Sequence, residues 1–157
     1  MDNLTRIASF SVNHDYITEG IYVSRIDGDI TTYDLRTRVP NNPEGEYMSN
    51  LTMHSLEHLF ATYVRNSEIG NRVIYFGPMG CQTGFYLLVR NSDDKETLKV
   101  VISTLERILN HEGDMPGAKM EECGNYKNLD LASAKIEAKK YLDVLLSKDW
   151  NFKYPEA

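Results

Sequence analysis

The sequence predicts an α+β fold, in which a mainly antiparallel sheet packs against helices within a single domain, residues 1–157. The length of 157 residues suits one domain. The predicted elements run strands, helix, strands, helix, loop, helix, without the regular alternation that produces a parallel sheet. Hydrophobic residues make up 41% and charged residues 25%, as in an ordinary globular protein.

The first predicted element is a β-hairpin in residues 20–36. Two runs rich in Ile, Tyr, Val and Thr flank the pair Asp27-Gly28. Such a pair favours a tight hairpin turn because it tolerates positive φ angles. Residues 38–50 follow with two prolines, a glycine and three asparagines, and this composition predicts a loop.

A helix is predicted over residues 51–66, with Ser49 or Asn50 as its N-cap. Apolar side chains recur at intervals of three and four residues, which places one stripe against a core. The stripe consists of Met53, Leu56, Phe60 and Val64.

The second half of the chain predicts two strands and two further helices. The strands are residues 73–76 and 84–90, and the helices are residues 93–109 and about 130–148. Asp93 and Glu96 resemble a capping box at the start of the first of these helices. Its predicted buried face is Leu98, Val101, Ile102, Leu105, Ile108 and Leu109, and the buried residues of the last helix are Leu131, Leu142 and Leu145. Residues 113–125, with glycine and proline, predict a loop between them.

Composition narrows the function classes. Seventeen basic against 23 acidic residues give a net charge of −6, which argues against a nucleic-acid partner and against adhesion to an anionic membrane. No apolar run approaches the length of a membrane span, and the N-terminus resembles no targeting sequence. We therefore expect a cytoplasmic protein whose two cysteines are free thiols.

The segment His54-Ser55-Leu56-Glu57-His58 is the most informative for chemistry. Residues four apart on a helix project from the same side, so both imidazoles can point at one metal ion. Glu57 lies beside them without needing to be a ligand. A catalytic ion usually has three protein ligands and one open position. The candidates for the third ligand are Cys81, Cys123, His14, His111, Glu121 and Glu122.

Each cysteine allows two interpretations. Cys123 precedes Gly124 in a loop and could be a ligand, or it could fill the core as a small apolar residue. Cys81 lies among glycines, where it could be an exposed and reactive thiol, or again core filler.

Two rival functions remain open. One is a metallohydrolase of H-x-x-E-H type, in which Glu57 activates a metal-bound water. The other is a non-enzymatic domain whose structural ion takes Cys81 as its fourth ligand.

Five segments occur in an order and spacing that resemble the S-ribosylhomocysteine lyase (LuxS) family. They are SFSVNH at 9–14, DLR at 34–36, HSLEHL at 54–59, GPMGCQTGFYL at 77–87 and ECG at 122–124. The resemblance extends over roughly residues 8–147, nearly the whole chain. PMGCQTG is long and unusual, and with the helix motif it makes the resemblance specific.

The resemblance implies a metal-dependent enzyme with one Fe²⁺ per subunit, for which Zn²⁺ or Co²⁺ can substitute. It assigns His54, His58 and Cys123 as metal ligands and Glu57 and Cys81 as the acid/base pair. The substrate-binding residues it implies are Ser9, His14 and Arg36. It further implies a homodimer with active sites at the subunit interface. The substrate would be S-ribosylhomocysteine, cleaved to homocysteine and the autoinducer-2 precursor used in quorum sensing.

The chain departs from the family pattern at four positions. Val39 stands where the family usually carries Gln, and Asn13 stands where Asp is usual. Tyr75 replaces an acidic residue, and Gly77 replaces a serine. These positions surround the expected substrate pocket and not the metal ligands, so they bear on substrate contacts.

Overall fold

The computed structural model describes residues 4–156, so residues 1–3 and 157 of the predicted domain lie outside the described residues. The elements in chain order are α1 (Ala8–Ser11), β1 (Gly20–Asp27), β2 (Ile30–Arg36), α2 (Asn50–Arg65), a 3₁₀ turn (Gly70–Arg72), β3 (Val73–Pro78), β4 (Gly84–Arg90), α3 (Asp94–Leu109) and α4 (Leu131–Leu146). The predicted order of strands and helices is confirmed. The four-residue helix α1 was not predicted, because it is too short to show a periodic pattern.

The four described strands form one antiparallel sheet in the order β1-β2-β4-β3. Two hairpins lie side by side, and the α+β class with an antiparallel sheet is confirmed. The register pairs Arg36, at the end of β2, with Gly84, at the start of β4. A side chain at position 84 would approach the carbonyl oxygen of Leu35 to 2.6 Å, so only glycine allows this pairing.

The first hairpin turns one residue later than the sequence predicts. Asp27 pairs with Ile30, so the two loop residues are Gly28 and Asp29 and not Asp27 and Gly28. Of these only Gly28 has a positive φ, at +62°. The predicted pair Asp27-Gly28 still locates the turn, because Gly28 supplies the one left-handed conformation that the turn needs.

Helices α2, α3 and α4 contact one another, and α2 and α4 also contact the sheet, which encloses the core between them. The stripe predicted on α2 is buried as expected. A stack of aromatic rings fixes α2 on the second hairpin. Phe60 stacks on Phe76 with ring centres 4.3 Å apart, and Phe76 stacks on Phe85 at 5.0 Å. This stack sets α2 beside strand β3.

The predicted caps are present. The side chain of Ser49 accepts from the amide of Thr52, and the side chain of Asp93 accepts from the amide of Glu96. The capping box at α3 is only half formed, since Glu96 pairs with Arg72 instead of turning back to the cap.

The buried face of α3 is rotated from the predicted one. Its buried residues are Thr97, Val100, Val101, Thr104, Leu105 and Ile108. Leu98, Ile102 and Leu109 are only partly buried at its edge. Two threonines thus occupy core positions that a purely hydrophobic count overlooks. On α4, Leu142 and Leu145 are buried and Leu131 is partly buried.

A C-terminal segment after α4 lies along β1, which the sequence did not predict. The carbonyl of Phe152 accepts from the amide of Val23 at 2.8 Å, and Phe152 itself is buried with φ +63°.

Each helix in the described part of the chain is too short or too polar to cross a membrane.

Candidate active site

Helix α2 carries the motif predicted to bind a metal. Its core stripe turns His54, Glu57 and His58 to a half-buried flank, where each side chain is partly accessible. The two imidazole rings lie with centres 4.6 Å apart and planes at 82°. The predicted side-by-side projection from consecutive helical turns is therefore present.

Backbone carbonyls orient both rings. The Nδ1 atom of His54 lies 2.8 Å from the carbonyl oxygen of Asn128, and Nδ1 of His58 lies 2.8 Å from that of Pro116. A carbonyl can only accept, so each Nδ1 is the donor, and in the neutral ring Nε2 is the nitrogen that presents a lone pair. This arrangement is the usual support of metal-binding histidines.

The loop after α3 brings Cys123 to the imidazole pair. Its Sγ lies 3.4 Å from Nε2 of His54 and accepts from the amide of Asn125 at 3.4 Å. The ligand atoms of His54, His58 and Cys123 all lie within 4.8 Å of one another. Gly117, with φ +69°, lets this loop pass His58, because a Cβ there would meet Nδ1 at 2.8 Å.

The donor set fits a divalent transition metal. Two imidazole nitrogens and one thiolate suit zinc or ferrous iron, and three protein ligands leave a coordination position open. Among residues 4–156, this is the one group of three His, Cys, Asp or Glu side chains close enough to hold an ion. Of the other candidates for the third ligand, Cys81, His14, His111, Glu121 and Glu122, none joins it. His111 instead bonds to the hydroxyl of Tyr63 and to the carbonyl of Asp114.

Cys81 lies in a different cavity. The thiol is exposed in the turn between β3 and β4, where Gln82 has φ +64°. It opens into a cavity of about 480 Å³ that is also lined by Ser9, His14 and Arg36. The structure therefore brings together all three side chains predicted to bind substrate and one of the two predicted to move protons.

Arg36 is buried beside that cavity and forms an ion pair with Asp34. Its Nη2 donates to Asp34 at 2.6 Å, and its Nη1 donates to the hydroxyl of Thr83 at 2.8 Å. Burial alone would lower the pKa of Arg36, but the charge of Asp34 and its hydrogen bonds outweigh burial and leave that pKa raised. Thr83 in turn contacts Sγ of Cys81 at 2.9 Å.

Three residues of this region were missed by sequence reasoning. Asp34 stands in the DLR segment and Thr83 in PMGCQTG, so both lay in motifs already noticed. Tyr154 donates to Asp34 at 2.7 Å from the C-terminal segment. Nothing in the local sequence around Tyr154 signals this contact, because the two residues are 120 positions apart.

Glu57 lies with His54 in a second cavity of about 240 Å³. Asn50, Asn125 and Asn128 line it as well. Pro78 lines both cavities, so the cavity of Cys81 adjoins that of His54 and Glu57. Neither cavity contains all of the predicted catalytic and metal-binding side chains.

Two of the four departures from the family pattern depend on each other. A side chain at Gly77 would overlap the ring and hydroxyl of Tyr75 as it now lies, so a larger residue at position 77 would displace the tyrosine. Asn13 forms a turn by accepting from the amide of Asp15, next to His14. Val39 is exposed.

Comparison with known proteins gives one consistent result. The family described as S-ribosylhomocysteinase (LuxS) matches residues 7–152. The S-ribosylhomocysteine lyase of Finegoldia magna is 43% identical over 159 residues, which cover 98% of this chain and 100% of that relative. Those of Borreliella burgdorferi strain ZS7 and Clostridium beijerinckii are each 41% identical and cover 97% of this chain and 100% and 99% of their own lengths.

These matches extend over nearly the full length of the chain and include every residue of the candidate site. None of the relatives described above is named as a hydrolase, so the comparisons give the metallohydrolase alternative no support. The chain belongs to the S-ribosylhomocysteine lyase (LuxS) family.

Proposed function

We propose that this chain is an S-ribosylhomocysteine lyase, a carbon–sulfur lyase that releases homocysteine and 4,5-dihydroxypentane-2,3-dione. The observation that carries the proposal is the convergence of His54, His58 and Cys123, in a chain that matches the family along nearly its whole length. The products assign it to autoinducer-2 synthesis and to recovery of homocysteine in the activated methyl cycle. We further propose that it acts in the cytoplasm as a single domain.

The three converging side chains would hold one divalent ion, which we propose to be Fe²⁺ in the cell. Bound there, the ion would polarise a sugar oxygen and make the neighbouring C–H acidic. Zinc and cobalt suit the same donors, and zinc generally binds more tightly than iron. The ion found after purification is therefore a poor guide to the native one.

Proton transfer would fall to Glu57 and Cys81. Moving the sugar carbonyl from C1 to C2 and then to C3 requires that a proton leave one carbon and return to its neighbour in each step. Once the carbonyl is at C3, the proton on C4 is acidic and the homocysteine thiolate can leave C5. A carboxylate at Glu57 and a thiolate at Cys81, on different sides of the sugar, can accept and return these protons.

Substrate binding would fall to Ser9, His14 and Arg36, which line the same cavity as Cys81. Arg36 cannot act as a base at neutral pH because its guanidinium stays protonated, so it serves as a hydrogen-bond donor. The cavity of about 480 Å³ is large enough for a ligand of this size.

A homodimer would complete the site. Cys81 lines one cavity, whereas His54 and Glu57 line another, which supports an arrangement in which each active site combines residues from two subunits. Symmetric pairing would then create two equivalent sites per dimer.

The direct test is incubation of the pure protein with S-ribosylhomocysteine and titration of the released thiol. We expect one thiol per substrate molecule and a matching yield of the dione. A protein that holds a full complement of metal and still releases no thiol would contradict the proposal.

A further inference from the structure

The thiol of Cys81 ends a chain of hydrogen bonds that begins in the C-terminal segment. The hydroxyl of Tyr154 donates to Oδ2 of Asp34 at 2.7 Å, and Nη2 of Arg36 donates to the same oxygen at 2.6 Å. Nη1 of Arg36 donates to Oγ1 of Thr83 at 2.8 Å, and that oxygen lies 2.9 Å from Sγ of Cys81. Four contacts thus connect Tyr154, in the C-terminal segment, to the thiol of Cys81.

The direction of these bonds is set by chemistry. The Arg36 guanidinium has only donors, so Thr83 must accept from it and has one hydrogen of its own left to give. When Cys81 is a thiolate, it can only accept, and Thr83 is then its donor. A hydroxyl that already accepts from a cation donates more strongly. Thr83 is therefore placed to donate its remaining hydrogen to Sγ of Cys81.

The middle of this series of hydrogen bonds is rigid because its residues are buried. Asp34 is fully buried, Arg36 is 2% exposed and Thr83 is 1% exposed. Nε of Arg36 also donates to Oδ1 of Asp34 at 3.1 Å, which makes the pair bidentate. A fork of this kind fixes the plane of the guanidinium, and with it the direction of Nη1 toward Thr83.

Two contacts hold the C-terminal segment in a position from which Tyr154 reaches Asp34. Phe152 is buried and bonds to β1 through its carbonyl, and the ring of Tyr154 stacks on Tyr22 with centres 4.9 Å apart. Burial and the nearby charge of Asp34 raise the pKa of Tyr154, so its hydroxyl remains a donor throughout the neutral range.

We propose that Tyr154 is a positioning residue that acts through Asp34, Arg36 and Thr83 to orient and activate the thiol of Cys81. The C-terminal segment is thereby part of the machinery around that thiol, although it touches neither the cavity of Cys81 nor the candidate metal ligands. The inference rests on the proposed function only for the catalytic importance of Cys81.

The test measures alkylation of Cys81 by iodoacetamide in the metal-loaded protein without substrate, with Cys81 and Cys123 followed separately by peptide mass. Thr83→Val keeps the shape of the side chain and removes the hydroxyl. We expect alkylation of Cys81 to slow about 10-fold in this variant and to recover in Thr83→Ser. Tyr154→Phe should slow it about threefold.

The matched control is Tyr22→Phe. It removes a hydroxyl from the same aromatic stack, but that hydroxyl donates to Thr18 and not to Asp34. We expect the alkylation rate of Cys81 to stay within about twofold of wild type. Equal slowing by Tyr22→Phe and Tyr154→Phe would mean general loosening and would overturn the proposal, as would an unchanged rate in Tyr154→Phe.

Thiol release from S-ribosylhomocysteine, measured on the same proteins, separates this proposal from the proposed function. The expected result is that kcat falls in Thr83→Val and Tyr154→Phe in the same order as alkylation, while KM changes less. If the alkylation rates behave as expected and wild type releases no thiol, the function fails and the positioning role stands. If wild type is active and the variants alkylate normally, the positioning role fails alone.

Discussion

At the scale of the residue, two backbone carbonyls decide which nitrogen each imidazole presents. Asn128 and Pro116 accept from Nδ1 of His54 and His58, which leaves Nε2 of each ring as the ligand atom. Nε2 of His54 lies 3.4 Å from Sγ of Cys123. The spacing of the histidines in sequence is enough to predict that they share one side of a helix. It cannot predict the carbonyls, which come from a loop and lie 74 and 58 residues further along the chain than His54 and His58.

Replacing Cys81 separates proton transfer from metal binding. Cys81→Ala should abolish thiol release and leave the metal content unchanged, because Cys81 is not among the three grouped donors. The side chain is exposed, so the free energy of unfolding should change by less than about 0.5 kcal/mol. Elemental analysis and the thiol assay on one preparation measure both quantities. Full activity in this variant would contradict a role for Cys81 in the proposed proton transfers.

At the scale of the element, the loop between α3 and α4 passes close to His58 at Gly117. Gly117→Ala would place a Cβ against Nδ1 of His58 and would strain a backbone with φ +69°. We expect metal affinity to fall about 10-fold or more, because the bond that orients His58 would be disturbed. Competition with a chromogenic chelator measures it.

Gly45→Ala is the control for backbone strain. Gly45 has nearly the same φ, +65°, but an added Cβ there meets nothing within 4 Å. This variant should lose stability and keep its metal affinity. Equal loss of metal affinity in both variants would show that strain, and not contact with His58, is responsible.

Strand β2 is tied to the start of α3 by Tyr33, whose hydroxyl donates to Asp94 at 2.6 Å. Burial, followed by this hydrogen bond, raises the pKa of Tyr33 from 10.0 to about 12. The folded state thus favours the neutral phenol. This contribution to stability is fully present below pH 10 and is lost as the pH rises toward 12.

The corresponding variant is Tyr33→Phe. We expect the free energy of unfolding to fall by about 1–2 kcal/mol at pH 8, because a buried hydrogen bond is lost. The decline in stability from pH 10 to 12 should also become shallower than in wild type. Urea titrations across this range measure both effects, with the exposed Tyr16→Phe as control. An unchanged slope would show that Tyr33 is not responsible for the alkaline loss.

The elements themselves were largely predictable, since Ser49, Asp93 and the apolar stripe of α2 are local signals that the structure bears out. The buried face of α3 was not, because Thr97 and Thr104 are covered by packing from elsewhere in the chain. The turn at Gly28 was placed one residue early, because the pairing of Asp27 with Ile30 depends on strand register.

At the scale of the whole molecule, the two separate cavities bear on assembly. If each active site combines the cavity of Cys81 from one subunit with the metal ligands of the other, two inactive variants should complement each other. His14→Ala alters the cavity of Cys81, and Glu57→Gln alters the cavity that contains His54.

Mixing these two variants after reversible dissociation should restore about a quarter of wild-type activity, since about half of the dimers would be mixed and each would hold one intact site. Each variant alone serves as the baseline. Mixed dimers that form, as shown by native mass spectrometry, and remain inactive would contradict a site shared between subunits.

The central claim is that His54, His58 and Cys123 converge on one ion and leave a position open for a sugar oxygen. Its most direct test is the absorption spectrum of the cobalt-substituted protein. We expect a thiolate-to-cobalt band that disappears in Cys123→Ala, persists in Cys81→Ala and shifts when S-ribosylhomocysteine is added to Cys81→Ala. A band that is lost with Cys81 and retained without Cys123 would contradict the claim.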